Sequence, residues 1–326
     1  MKLSTIIVNW NSADYTVACV ERLCSLPQPP AHEIVVVDNA SYDGVGERLA
    51  ARKLPVTFVQ GEQNLGFGQA NNAGFERCTG DIVLFLNPDT LVHGDALVTM
   101  AGYLQSHPGV GAVGCRLLNA DGSVQRTSIQ RYPTLLNQLL DSNLLQRLFP
   151  RLWLWGHSPL FGPCGQGVPV ESVSGAALMV TREAFLAVEK FSSRYFMYAE
   201  DVDLCWKMWR AGFQVHHVSG ATVTHYGGGT SENLSGGHFG AVMIRESTWL
   251  YLRRARGGVY AAAYRFEMAL IAVLRLSLIV AVWPLLTLMR GRGAAGHALA
   301  KWRRVLGWSC GRSSVVVQST AGAADA

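Results

Sequence analysis

The stretch Val83-Leu84-Phe85-Leu86-Asn87-Pro88-Asp89-Thr90 reads as a buried strand that stops abruptly. Proline has no N–H to give to a sheet ladder, so the strand must end there. Asp89 then stands alone just past its carboxyl end. Two readings are open for it. Asp and Asn begin turns for local reasons, and open α/β sheets bind ligands at the carboxyl ends of their strands.

Upstream, the chain alternates strand and helix patterns. Strands are expected at 3–10, at 33–41 as an apolar run ending in Asp38, at 55–60 and at 81–89. Helices are expected at 14–26 and 43–53, and a Gly/Asn-rich loop with a helix at 61–79. Such alternation implies an α/β fold with a Rossmann-like, mostly parallel sheet flanked by helices, joined by right-handed crossovers. Beyond 109 the pattern reads as a strand, a turn at Asn119–Gly122 and a return. Residues 131–170 lack a clean period and read as an insert. Order returns in "SVSGAALMVTREAF", a strand running into a helix with Thr181 as its N-cap.

Composition adds a second division. The first 244 residues carry 16 Lys/Arg against 20 Asp/Glu, whereas residues 245–326 carry 12 against 3. A mildly acidic body with a basic, apolar tail suggests a tail that meets an anionic surface. We therefore expect a catalytic domain over 1–245 and a helical, basic, membrane-associating region over 246–326. Seven cysteines without a CxxC pair argue against a zinc site and for a reducing compartment. The N-terminal apolar run is too short for a signal peptide, which makes the body cytoplasmic in expectation.

Four stretches carry candidate chemistry. Asp38 ends its strand either as a polar strand end before a Ser41 cap or as an acceptor for a nucleobase or ribose. The loop "NLGFGQANNAG" (64–74) opens a helix with Gly66-x-Gly68, but Asn71 stands where a dinucleotide fingerprint needs its third glycine. No Walker A lysine motif is present. What remains is a loop of exposed amides and Asn side chains suited to polar or anionic groups. In "YFMYAEDVDLCWKMWRAGF" (195–213), Val202, Cys205, Trp206, Trp209 and Phe213 share one helix face. Glu200, Asp201 and Asp203 crowd its start, more acid than capping needs, and a carboxylate in an apolar cleft can be tuned as a general base. His225, in "VTHYGGGTS", is either a structural strand residue or, with a distant Asp, part of a metal site.

Taken in order, "IIVNWN", "VVVDNAS", "NLGFGQANNAG", "FLNPDT", "SGAALMVTREAF", "FMYAEDVDLCWKMWRAG" and "HYGGGTS" resemble a family 2 glycosyltransferase of GT-A fold. The similarity covers roughly residues 3–232 and is nearest to the rhamnosyltransferase-like branch that builds bacterial surface polysaccharide and cell-wall linkers. The resemblance implies that Asp89 is a ligand of a divalent metal, Mg²⁺ or Mn²⁺, in an Asp-x-Asp motif reduced to Asn87-Pro88-Asp89. It implies His225 as a second ligand and Asp38 as the acid that reads the base. Asp38, Asn64, Gly66, Asn71 and Asn87 become the candidate nucleotide-sugar-binding set. Asp201 becomes the catalytic base, with Glu200 the fallback. The implied reaction is one in-line displacement that inverts the sugar, with L-rhamnose from dTDP-rhamnose as the expected donor and a lipid-linked saccharide as the acceptor.

One departure stands out. Where the family usually has Gly-Gly-Phe-Asp before its Glu-Asp motif, this chain has Glu189-Lys190-Phe191-Ser192. In the tail, residues 266–289 form a 24-residue apolar stretch broken by Glu267, Arg275 and Pro284. A central Arg and basic flanks favour an interfacial or re-entrant helix on the cytoplasmic leaflet over one crossing it, the other reading being a buried core helix or a dimer interface. Nucleic acid is not an expected partner, because the basic residues interleave with aliphatic ones. Alternatives are a UDP- or GDP-hexose donor, a nucleotidyltransferase, which would want a basic, Gly-rich triphosphate loop near the N-terminus, and a non-catalytic carbohydrate-binding or scaffold protein.

Overall fold

The computed structural model describes residues 1–26, 31–141, 143–161, 167–227 and 239–312. In chain order its elements are β1 (Leu3–Asn9), α1 (Ala13–Ser25), β2 (His32–Asp38), α2 (Val45–Ala51), β3 (Val56–Gln60), α3 (Gly66–Phe75), β4 (Ile82–Leu86), β5 (Thr90–Val92), α4 (Ala96–Ser106) and β6 (Val110–Leu118). There follow β7 (Ile129–Gln130), α5 (Leu135–Leu139), α6 (Asn143–Leu148), β8 (Gly167–Pro169), β9 (Ser172–Val173), β10 (Ala177–Thr181), α7 (Arg182–Ala187), α8 (Glu200–Arg210) and β11 (Gln214–His225). Three long helices close the chain: α9 (Phe239–Arg256), α10 (Gly258–Ala281) and α11 (Trp283–Ser309).

The chain divides into two compact units. The first comprises 1–132, 143–196 and 200–230, and the second 133–142, 197–199 and 231–326. The first is built on a sheet of order β3-β2-β1-β4-β10-β6-β11-β5, with β8 on β11. Strands β3, β2, β1 and β4 are parallel. β10 is antiparallel to both its neighbours, and β11 is parallel to β6 but antiparallel to β5. Alternate residues along the central strands feed two cores. On one face Leu3, Ile7, Val36 and Leu84 meet α1, α2 and α4; on the other Ile6, Val35, Val83 and Phe85 meet α3, α7 and α8. The second core includes Phe75, Phe85, Phe185 and Phe191 packed edge to face or tilted, with neighbouring ring centroids 4.8–5.5 Å apart.

The strand–helix joint at Thr181 follows its sequence, since the Thr181 hydroxyl accepts the Ala184 N–H at 3.2 Å. In the second unit the apolar stretch 266–289 is not one helix. It breaks at Val282, with Pro284 in the first turn of α11, where its missing N–H costs nothing. Among the described residues no helix is long and apolar enough to cross a membrane.

Candidate active site

The carboxyl edges of β1, β2 and β4 carry Asn9, Asp38 and, just past Pro88, Asp89. Asp38 is 1% exposed. One oxygen accepts Asn9 Nδ2 at 2.8 Å and the Ser41 hydroxyl; the other accepts Gln60 Nε2 at 2.7 Å and the Tyr42 N–H at 3.1 Å. Burial alone would raise its pKa, but the Ser41, Asn9, Gln60 and Tyr42 donors together hold it below the usual value. Asp38 is thus a fixed carboxylate, already saturated by protein donors. Asn9, which the sequence reading did not single out, is the hub beneath it: it donates to Asp38, Ser41 and Asp43 and accepts from Ser12 and Thr16.

Asn64 and Gly66 brace the neighbouring loop. The Asn64 side-chain oxygen accepts Asn39 Nδ2 at 2.7 Å and the Gly66 N–H at 2.9 Å. Gly66 has φ +75°, and a Cβ there would lie 2.0 Å from the Phe196 carbonyl oxygen. The glycine therefore serves close backbone approach at the start of α3. Asn71 is 1% exposed and donates to the Phe67 carbonyl one turn back. It braces α3 from inside and is not presented at the sheet edge with Asp38 and Asp89.

Asp89 and His225 come together. β11 pairs antiparallel with β5, His225 opposite Thr90, and this register brings His225 Nε2 to 3.4 Å from Asp89 Oδ1. Asn87 Nδ2 lies 3.2 Å from the same nitrogen, and Gln125 Oε1 lies 2.9 Å from His225 Nδ1. Gln125 Nε2 donates to Asn119 Oδ1 at 3.1 Å, which turns the Gln125 oxygen toward the ring. With Gln125 Oε1 accepting, the proton sits on Nδ1, and the Nε2 lone pair, in reach of the Asn87 amide, lies beside the Asp89 carboxylate. Two ligands about 2.1 Å from one cation stand about 3 Å apart, so this carboxylate–imidazole pair fits one divalent ion such as Mg²⁺ or Mn²⁺. Among the described residues no group of three or more His, Cys, Asp or Glu could hold a metal. Further oxygens would come from ligand and water.

The three acids at the start of α8 have separate surroundings. Asp203 is fully buried, accepts the Tyr195 hydroxyl at 3.2 Å and faces Lys207 Nζ at 3.9 Å, so its role is structural. Glu200 is 6% exposed, with one carboxylate oxygen unpartnered. Burial, then the adjacent Asp201 charge, push its pKa up to about 8, which keeps it protonated at neutral pH. Asp201 is half-buried. Its Oδ2 accepts the Gly175 N–H and Gln130 Nε2, each at 2.9 Å. Burial raises its pKa, tempered by the Gly175, Val202 and Gln130 donors. Backbone links tie this acid to the Asp89 loop: Asn87 N–H donates to Ala176 O at 2.9 Å, and Gly175 is the residue before Ala176.

The approach to α8 is strained. Tyr198 and Ala199 have φ +69° and +61°, and Glu189 and Lys190 have φ +59° and +60°. These last two are the positions where the related pattern carries glycines, so the left-handed backbone is kept without the residue that adopts it freely.

A family model described as glycosyl transferase family 2 matches residues 4–168. Over 261 residues the chain is 29% identical to the N-acetylglucosaminyl-diphospho-decaprenol L-rhamnosyltransferase of Mycobacterium tuberculosis, covering 76% of this chain and 83% of that protein. It is 25% identical over 267 residues to the rhamnosyltransferase WbbL of Escherichia coli K12, covering 77% and 92%. The mannosyltransferase PcManGT from Pyrobaculum calidifontis, solved in complex with GDP-Man and Mn²⁺, has the same fold, with a TM-score of 0.59 at 17% identity, covering 95% of this chain and 86% of that one.

Proposed function

The chain belongs to glycosyl transferase family 2 and is a glycosyltransferase of GT-A fold that uses a nucleotide-sugar; from that premise we propose an inverting, metal-dependent transfer of L-rhamnose from dTDP-rhamnose to a lipid-linked saccharide. The observation that carries this reading is the Asp89–His225 pair at 3.4 Å, joined through Asn87, Ala176 and Gly175 to the half-buried Asp201. Two rhamnosyltransferases among the relatives, one named for a diphospho-decaprenol-linked acceptor, support the choice of sugar and acceptor.

Each side chain has a task. Asp89 and His225 would hold a divalent cation, which supplies Lewis-acid stabilisation of the departing nucleoside diphosphate. Asp201 Oδ1 takes the proton of the acceptor hydroxyl as that oxygen attacks the anomeric carbon from the face opposite the leaving group. Its raised pKa makes it a stronger base than an exposed aspartate. Glu200, neutral and buried beside it, adds no second charge to the acceptor side. Asp38 is the base-reading acid, and a nucleobase N–H there would displace one of the four donors it already has. Asn64 and Gly66 shape the loop beside it, and Asn87 orients His225. Catalysis is assigned to residues 1–245. The basic region 246–326 supports work at the inner face of the cytoplasmic membrane, where a lipid-linked acceptor is met.

The test is calorimetric binding of thymidine, uridine and guanosine diphosphates, with and without Mn²⁺, to wild type and Asp89→Ala. Metal-dependent binding of one nucleotide, lost in the variant, is the expected result and names the base of the donor. Binding that ignores both metal and substitution would reduce Asp89 to a turn residue.

A further inference from the structure

The residues just ahead of α8 are fastened one after another. The buried Tyr195 donates its hydroxyl to Asp203 at 3.2 Å, which bridges the segment from end to end. The Phe196 carbonyl accepts the Phe67 N–H at 3.0 Å. The Met197 carbonyl accepts the Ser247 hydroxyl of α9 at 2.7 Å. Tyr198 and Ala199 then take their left-handed conformations, and Glu200 and Asp201 open the helix. Non-glycine residues keep such φ values only where their surroundings hold them there. Met197–Ala199 belong to the second unit, and α9 of that unit supplies the hold.

Ser247 is placed for this contact. It is buried midway along an 18-residue helix, where serine is an indifferent helix former and a buried hydroxyl needs a partner. A helical hydroxyl can bond the carbonyl four residues back, and the neighbouring Thr248 does so, donating to Ile244 O at 2.8 Å. Ser247 instead donates out of its helix, to Met197. The same helix face carries Met243 one turn back and Tyr251 one turn on, both buried. Gly240 lies a further turn back, and a Cβ there would stand 3.5 Å from the Tyr198 hydroxyl, so α9 also lies against the first of the two left-handed residues.

Asp201 depends on where this segment ends. Its Oδ2 has to reach the Gly175 N–H and Gln130 Nε2, each at 2.9 Å. We propose that Ser247 is a positioning residue for Asp201: by holding the Met197 carbonyl it keeps Tyr198 and Ala199 left-handed, and so sets the first turn of α8 where Asp201 meets Gly175 and Gln130. This role rests on the reading of Asp201 as the base. It brings a residue of the 246–326 region, expected from composition to associate with membrane, into the machinery of the reaction.

The test compares full-length wild type, Ser247→Ala, Ser247→Thr and Thr248→Ala in two measurements. The first is an NMR titration of isotope-labelled aspartate carboxyl carbons, with the Asp201 signal assigned by its loss in Asp201→Asn. It needs no substrate and decides the link by itself. The donors to Oδ2 favour the charged carboxylate, so loosening them raises the pH at which it titrates, and Ser247→Ala is expected to move Asp201 up by about one pH unit. The second is hydrolysis of dTDP-rhamnose in Mn²⁺, read as dTDP released. Here Ser247→Ala is expected to lower kcat about 10- to 100-fold with KM unchanged, and to move the acidic limb to higher pH. Ser247→Thr keeps the hydroxyl and restores both readouts. Thr248→Ala removes a buried hydroxyl one residue away and changes neither. A serine that only packs would lower the unfolding temperature and leave the Asp201 titration unmoved; that result, or an equal shift in Thr248→Ala, overturns the proposal. Wild-type kcat in Asp201→Asn would sink the base reading and the Ser247 role with it. An inactive Asp201→Asn beside a Ser247→Ala that titrates and turns over like wild type would leave the base standing and remove the Ser247 role alone.

Discussion

Gln130 and Gly175 donate to the same oxygen of Asp201, Oδ2, each at 2.9 Å, while Oδ1 accepts only the Val202 N–H at 2.8 Å and keeps a lone pair able to take a proton. Gln130 is therefore a positioning residue in the reading above. Removing it takes away a donor that favours the charged carboxylate, so the Asp201 pKa rises. In Gln130→Ala the acidic limb of kcat/KM is expected to move to higher pH, with activity at neutral pH falling about 10- to 100-fold. At alkaline pH activity recovers toward wild type. Gln130→Glu moves the limb further in the same direction by like-charge repulsion. A pH–rate profile decides this; a uniform loss with an unmoved limb would leave Gln130 a packing residue.

Gln125 plays the matching part for His225. Its oxygen fixes the proton on Nδ1 and so keeps Nε2 available. Partners of this kind are worth about 10- to 100-fold in metal affinity. Gln125→Ala is expected to raise the Mn²⁺ concentration for half-maximal activity by that factor while kcat at saturating Mn²⁺ stays near wild type. Gln125→Glu should lower it, because a carboxylate makes the imidazole a better ligand. Metal titration of initial rates reads both.

Glu200 gives stability a pH dependence with a definite sign. Its folded pKa of about 8 lies above its ordinary value of 4.5, so the folded state prefers the neutral acid. Its contribution is fully present below the unfolded pKa and is lost as pH rises toward 8. Urea unfolding at pH 5 and pH 8 is expected to differ by up to about 4 kcal/mol in the disfavouring direction. Glu200→Gln should remove most of that slope. A residue of it remains from Glu267, which burial pushes up to about 7. A wild-type slope that survives the substitution unchanged would place the titrating group elsewhere.

Two backbone positions are expected to respond oppositely to substitution. Gly66→Ala would drive a Cβ into the Phe196 carbonyl at a positive φ and should cost about 3 kcal/mol or more. Glu189→Gly relieves an exposed residue held at φ +59° and should gain up to about 1 kcal/mol, offset in part by a freer unfolded chain. Thermal unfolding of the two variants, by calorimetry, measures both shifts.

Much of this was legible in the chain because its signals are local. Apolar runs ended by Asn9, Asp38 and Pro88 give the strands and their carboxyl edge, and the Thr181 cap gives the joint between β10 and α7. The acids at 200–203 were visible as a group. Their division into a neutral Glu200, a hydrogen-bonded Asp201 and a structural Asp203 was not, because Asp201 takes its partners from Gln130 and Gly175, distant in sequence, and the pairing of Asp203 with the nearby Tyr195 depends on how the chain turns into α8. Gln125 and Gln130 lay in "SVQRTSIQ", a stretch with no periodicity and no charged motif. Their roles depend on which side chains that segment passes. Asn71 misled for a related reason: an Asn in a Gly-rich loop reads as exposed, yet here it is already one turn inside a helix. The antiparallel insertion of β10 between β4 and β6 has no sequence signature either, since strand order is set by packing of the whole sheet.

The register that sets Thr90 opposite His225 joins residues 135 apart along the chain. Loop-closure entropy is unfavourable until many other contacts have drawn such ends together, so this edge of the sheet closes late. During synthesis the strands bearing Asn9, Asp38 and Asp89 emerge first and can pair among themselves, while the imidazole arrives only with the last strand of the sheet. A nascent or truncated chain that stops before residue 225 can therefore own a nearly complete sheet with Asp38, Asp89 and Asp201 and still lack the imidazole of the proposed metal pair. Competence in this chain arrives at the end of assembly, in a single step.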